Sequence, residues 1–142
     1  RQGNAKVCTF AYKYHNKIVE IEEVRKLEVF KDKDIKLLYH RCMEVKSPFY
    51  CFLLFGSYAN KTNKKGSDID ICVITDYGEV IREINSIWSI TPLPVHLQTF
   101  SSQEFLLMLE SKKQNVGNEI VKKNIIFHGI ESYYELVNHV KR

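Results

Sequence analysis

Proline and glycine are scarce here, three and six among 142 residues, and no segment repeats itself or is low in complexity. That scarcity excludes a fibrous or linker-like chain. No apolar run approaches the length of a membrane span, and no signal-like hydrophobic segment sits near Arg1. We therefore expect no membrane partner. The chain opens on Arg1 rather than Met, which leads us to expect a fragment or a processed product. The four cysteines (Cys8, Cys42, Cys51, Cys72) form no CxxC pair and no metal-ligand spacing. We expect free thiols, with Cys51 and Cys72 acting as small buried hydrophobes in an intracellular, cytoplasmic protein. Charge is close to balanced, with a formal net charge of +4. That value suits a protein that handles phosphates, but it selects no partner by itself.

What is present is an ordinary globular composition, 44% hydrophobic and 27% charged. The length suits one folded unit with a substantial core. "KVCTFAYKY" (6–14) alternates as a short strand would, with Val7, Thr9, Ala11 and Lys13 opposite Cys8, Phe10, Tyr12 and Tyr14. Ile21, Val24, Leu27, Phe30, Leu37, Leu38 and Val45 recur at helical spacing over 18–46 and predict two helices meeting near "KDKD", closed by Pro48. "FYCFLLF" (49–55) predicts a strand buried on both faces, Asp68 to Ile74 a second, and "PVHLQTF" (94–100) a third. "EVIREINSIW" (79–88) reads as a helix. "SSQEFLLMLESKK" opens with a capping box, Ser101 to Glu104, and continues as an amphipathic helix. A short helix at "NEIVKK", a strand at "IIFHG" and a closing helix at "SYYELVNHV" complete an α+β pattern with a sheet at its centre.

The chemistry concentrates in "FGSYANKTNKKGSDIDICVI" (55–74). Gly56 after a buried strand permits a tight turn and close approach of a ligand. Ser57 is placed to cap a short helix, "SYAN", whose free amides would suit a phosphate. Asp68 and Asp70 alternate with Ile69 and Ile71, so a strand would present both carboxylates on one face beside that turn. Such a pair is costly unless a cation neutralises it, and its oxygens suit Mg²⁺ or Mn²⁺ held together with substrate phosphates. Turn, carboxylates and phosphate together describe phosphoryl or nucleotidyl transfer. Ser67 shapes the loop, and Lys61, Lys64 and Lys65 could meet a leaving pyrophosphate or an anionic acceptor.

The same stretch, with ten residues between Ser57 and Asp68, resembles the signature of the polymerase-β-like nucleotidyltransferase superfamily. It is similar in particular to the minimal nucleotidyltransferases of bacteria and archaea. "SSQEFLLMLESKKQNVGNEIVKKNIIFHGIESYY" resembles the same group, and the likeness covers about 49–135. The resemblance implies a mixed sheet flanked by helices. Gly56 and Ser57, with Ser67 and Lys65 nearby, would bind the triphosphate of a nucleotide, ATP being the expected one. Asp68 and Asp70 would ligate the divalent ions. An acceptor hydroxyl would attack the α-phosphorus and release pyrophosphate. The acceptor could be a partner toxin, as in antitoxin-type members, or a small molecule such as an aminoglycoside.

The family usually supplies a third carboxylate from the strand that matches "PVHLQTF", and this chain has none there. Val95 and Leu97 should face the core, which turns His96 and Gln98 toward the site. His96 is therefore a candidate catalytic base or metal ligand, or else a polar residue on a half-exposed strand. Asp76 and Glu79 are the weaker substitutes. The missing acid keeps a second function open, a catalytically degenerate nucleotide-binding or DNA-binding regulator, and a third, a subunit that activates a catalytic partner. "GNAKVCTFAYKYHNK" resembles the strand end of a winged-helix domain in archaeal fusions with such a transferase. We expect residues 1–47 to form a remnant of that module, implying DNA as a partner, or a homodimer element. Residues 48–142 would form the transferase domain.

Overall fold

The computed structural model describes residues 2–47 and 50–140, with the backbone alone over 2–15. Pro48 and Phe49 therefore lie outside the described residues, as does the side chain of Cys8. Seven helices and four strands follow in the order α1 (Gln2–Val29), α2 (Lys33–Cys42), β1 (Cys51–Phe55), α3 (Gly56–Asn60), β2 (Ile69–Ile74), α4 (Gly78–Ser89), β3 (Val95–Phe100), α5 (Ser102–Glu110), α6 (Val116–Lys122), β4 (Ile125–His128) and α7 (Ile130–Val140). The four strands form one mixed sheet, ordered β3-β2-β1-β4. β1 runs antiparallel to both of its neighbours, while β2 and β3 are parallel. The expected α+β fold, a central mixed sheet flanked by helices, is what the chain adopts.

β1 is buried along its whole length, so its apolar run serves two cores at once. Phe52 and Leu54 join Ile69, Ile71 and Val73 on one face, packed against Ile35, Leu38 and Cys42 of α2 and Val80 and Ile84 of α4. Cys51, Leu53 and Phe55 join Cys72 and Ile74 on the other, packed against Phe105 of α5, Ile120 of α6, and Tyr133 and Val137 of α7. Local signals set the helix ends. Asp32 accepts from the amides of Asp34 and Ile35 to start α2, and the capping box at Ser101 is complete.

The first element differs from expectation. Residues 6–14 belong to α1 rather than to a strand. Alternation over nine residues is a weak signal, because Val7, Phe10 and Tyr14 fit a helical period equally well. No proline interrupts the chain from Lys6 to Val29. The segment that resembles the strand end of a winged-helix domain is thus helical in this chain. The helical stripe of α1 also lies outward: Ile21, Val24 and Leu27 are 51%, 67% and 63% exposed, whereas Glu22 is buried. Glu22 is tolerated inside because the Tyr134 hydroxyl donates to its Oε2 at 2.7 Å and Arg25 lies 3.2 Å from Oε1. Arg25 also donates to the Asn124 carbonyl at 2.7 Å, tying α1 to the segment that enters β4.

Among the described residues no helix is long and apolar enough to cross a membrane. Cys51 and Cys72 are free and buried, as expected, and Cys42 is too.

Candidate functional site

The order and direction of the strands gather four segments at one end of the sheet. The carboxyl end of β1 lies there with the amino ends of β2, β3 and β4, because β1 alone runs the opposite way. Phe55, the last residue of β1, pairs with Asp70. The chain then turns at Gly56, whose φ of +70° favours glycine. A Cβ built on Gly56 would run into the Asp70 carboxylate, 3.0 Å from its Cγ. Glycine is therefore needed twice over, for the backbone conformation and for the approach of Asp70.

Ser57 is the second residue of α3 rather than its cap. The capping position falls on Phe55, which offers no side-chain bond. The Ser57 carbonyl accepts from the amides of Lys61 and Thr62, closing the short helix at a left-handed Lys61. Among the described residues the Ser57 hydroxyl makes no hydrogen bond. In the following loop, Lys64 N–H donates to Ser67 Oγ at 2.7 Å and Ser67 N–H donates to the Lys64 carbonyl at 2.9 Å. Ser67 thus builds the turn that carries Lys65, which is exposed beside Gly66 at φ +84°.

β2 starts at Ile69, so Asp68 sits just before the strand and is exposed, while Asp70 lies within it. Ile69 and Ile71 are sunk in the core below. On β3, Val95 and Leu97 pack against the core, which leaves His96 on the opposite face. His96 pairs with Asp70 in the parallel register, and its Nδ1 lies 3.1 Å from Asp70 Oδ1. The structure therefore brings Gly56, Ser57, Asp68, Asp70 and His96 to the same sheet end, with Ser67 and Lys65 in the adjoining loop.

It does not bring the substitute acids there. Asp76 lies beyond the other end of β2, roughly 20 Å from Asp70 at the usual rise per residue. Its carboxylate accepts from Ser102 N–H at 2.8 Å and from the Ser102 hydroxyl at 2.9 Å, fastening α5. Glu79 is in the first turn of α4. Among the described residues no three His, Cys, Asp or Glu side chains are grouped to hold a metal ion.

One feature of this end went unseen in the sequence. A cavity of about 450 Å³ opens beside Gly56, lined by Phe55, Asn60, Gln114, Glu119, Lys122 and Lys123. The only sequence signal for it is the lysine pair at the end of α6, which an amphipathic surface helix would also produce.

The family model of the nucleotidyltransferase domain matches residues 42–129, more than half of the chain, and the chain belongs to that family. It is a nucleotidyltransferase. No curated protein matches it. It is similar to a solved toxin–antitoxin crystal structure with AMP-PNP, at 20% identity over 72% of this chain and 78% of that one, with a TM-score of 0.43.

Proposed function

We propose that this chain transfers AMP from ATP to a hydroxyl acceptor with the help of a divalent cation. The observation that carries the reading is the contact between Gly56 and Asp70. It brings the Gly56–Ser57 turn and the Asp68–Asp70 pair to one sheet end, although a basic loop separates them in sequence.

The donor set fits a cation that arrives with phosphates better than one caged by protein alone. Asp70 has one oxygen engaged by His96 and the other turned toward Gly56, and Asp68 is exposed. Magnesium commonly takes one or two carboxylates and fills its remaining positions with phosphate and water oxygens. Asp68 and Asp70 would hold that ion, which when bound neutralises charge on the phosphoryl group being transferred.

The remaining work belongs to the chain. Gly56 presents backbone with no side chain in the way, and the free Ser57 hydroxyl can donate to a phosphate oxygen. His96, with Nδ1–H donated to Asp70, keeps Nε2 as its basic nitrogen and can take the proton of the attacking hydroxyl. The acceptor oxygen forms the new bond to the α-phosphorus, the bond to the β-phosphate oxygen breaks, and pyrophosphate leaves. Lys65 and Ser67 border the phosphates. A hydroxyl on a partner protein is the acceptor we favour, since the His96 side chain is 59% exposed at the sheet end.

A second reading rests on the absence of any acid on β3, which weakens cation binding and favours nucleotide binding without turnover. The two separate in one experiment. The chain is titrated calorimetrically with ATP in the presence and absence of Mg²⁺, then incubated with labelled ATP and candidate acceptors. Magnesium-dependent binding with pyrophosphate release supports the enzyme. Binding without release supports the regulator, and no binding overturns both.

A further inference from the structure

We infer that Lys122 and Lys123, at the end of α6, form the subsite for the β- and γ-phosphates and for the pyrophosphate that leaves. The inference rests on the reading above and assigns residues to it that lie some fifty positions beyond the signature.

The sheet order sets the direction. At the site end the strands present His96, then Asp70, then Phe55 and Gly56, and last the entry to β4, directly preceded by Lys122 and Lys123. Displacement at phosphorus places the attacking and leaving oxygens on opposite sides of the phosphorus. If the proton of the acceptor goes to His96 on β3, the leaving group is directed the other way, across Gly56 toward β4. The cavity beside Gly56 lies on that side and holds both lysines, with Asn60 and Gln114 as further donors.

Charge agrees with the direction. Lys122 and Lys123 are exposed and, among the described residues, make no ion pair. Lys123 also lines the neighbouring groove, whose other charged residues are Arg25, Lys31, Lys61, Glu28 and Asp32. Glu119 lines the cavity and opposes the two lysines, leaving a net positive wall. Pyrophosphate gains charge as it departs, and ammonium groups already in place stabilise that charge without reorganising. A loop lysine such as Lys65, on an exposed turn, offers less positional control than a helix end packed through Ile120 into the core.

The test is calorimetric titration of the full chain with ATP, AMP and inorganic pyrophosphate, all with Mg²⁺, with circular dichroism as the fold control. K122Q/K123Q is expected to weaken ATP and pyrophosphate by about tenfold or more, the usual range for losing charge-assisted hydrogen bonds. AMP affinity should be unchanged, and where AMP binds too weakly to measure, the pyrophosphate titration decides. Glu119→Gln should act in the opposite sense and tighten pyrophosphate. Unchanged ATP and pyrophosphate affinities in a folded double variant overturn the subsite while leaving the nucleotidyl-transfer reading intact. Equal losses for ATP and AMP overturn it too, since the lysines would then read the nucleotide rather than its leaving group. Failure of the unmodified chain to bind ATP overturns both proposals together.

Discussion

Asp70 and His96 meet across the parallel pairing of β2 and β3, with the imidazole Nδ1 3.1 Å from the carboxylate Oδ1. A third acid at this place would crowd a second negative charge against Asp70. The imidazole instead gives Asp70 a hydrogen-bonding partner that fixes its orientation.

That contact makes His96 testable by two substitutions of opposite expectation. His96→Gln keeps a polar side chain of similar reach but no basic nitrogen. It should lower the transfer rate by about 10²- to 10⁴-fold, the usual range for a general base, with ATP affinity retained. His96→Asp restores a carboxylate and should exceed His96→Gln in both transfer rate and Mg²⁺ affinity. Equal rates for the unmodified chain and both variants would leave His96 an ordinary strand residue.

Asp68→Asn and Asp70→Asn remove charge without removing volume. Each should abolish magnesium-dependent ATP binding in calorimetry while circular dichroism shows the fold retained, because Asp68 is exposed and Asp70 only half-buried. Nucleotide affinity that survives in the double variant would show that the site lies elsewhere.

Much of this was legible in the sequence, and the reasons differ by element. β1, β2 and β3 were visible because they carry apolar runs between turn residues, and the Ser101–Glu104 cap is a pattern with a defined hydrogen-bond consequence. The orientation of His96 followed from alternation with Val95 and Leu97. The start of the chain was misread because a short alternating segment fits two periods. The outward face of α1 could not be foreseen either. Burying Glu22 depends on Tyr134, more than a hundred residues away, and no local signal reports such a partner. The α6 lysines are illegible for the same reason, since only the order of strands puts them beside Gly56. The role expected of Ser57 as a helix cap failed because α3 starts one residue earlier, at the Gly56 turn, which puts the capping position on Phe55.

Gly56 and Gly66 both have positive φ, +70° and +84°, but only Gly56 has a neighbour where a Cβ would go. Alanine at Gly66 therefore meets backbone strain alone, of about 1 kcal/mol. Alanine at Gly56 meets the same strain and displaces the Asp70 carboxylate, so roughly 2–3 kcal/mol is expected together with loss of ATP binding. Urea melts of the two variants measure the difference. Equal destabilisation would mean that Asp70 moves aside freely.

Asp76 separates structural from chemical carboxylates. Its two hydrogen bonds to Ser102 join the end of β2 to the start of α5 at the sheet end opposite the site. Asp76→Ala should cost about 1 kcal/mol, as capping losses do, and leave ATP affinity unchanged. A loss of ATP affinity in the folded variant would return Asp76 to consideration as the missing acid.

The buried thiols give the fold an alkaline limit. Burial pushes the Cys51 thiol from 9.0 up to about 12. Cys42 is also raised to about 12, by burial opposed by its hydrogen bond to Tyr50 and the nearby Lys26 charge. Below 9.0 both folded and unfolded chains keep these protons, so the thiols give no pH dependence. Between 9.0 and about 12 the unfolded thiols ionise while the folded ones cannot, so the folded chain binds more protons and stability falls as pH rises. Each thiol contributes a slope of about 1.4 kcal/mol per pH unit in that window. The comparison that isolates one thiol is the unmodified chain against Cys51→Ala. Cys51 donates only a 3.5 Å contact to the Gly129 carbonyl, so this substitution removes little else that is polar. Urea unfolding followed across the window should show a shallower fall for Cys51→Ala by about that slope. Parallel curves would mean that the Cys51 thiolate is accommodated in the folded chain, against the burial that its place in the second core imposes.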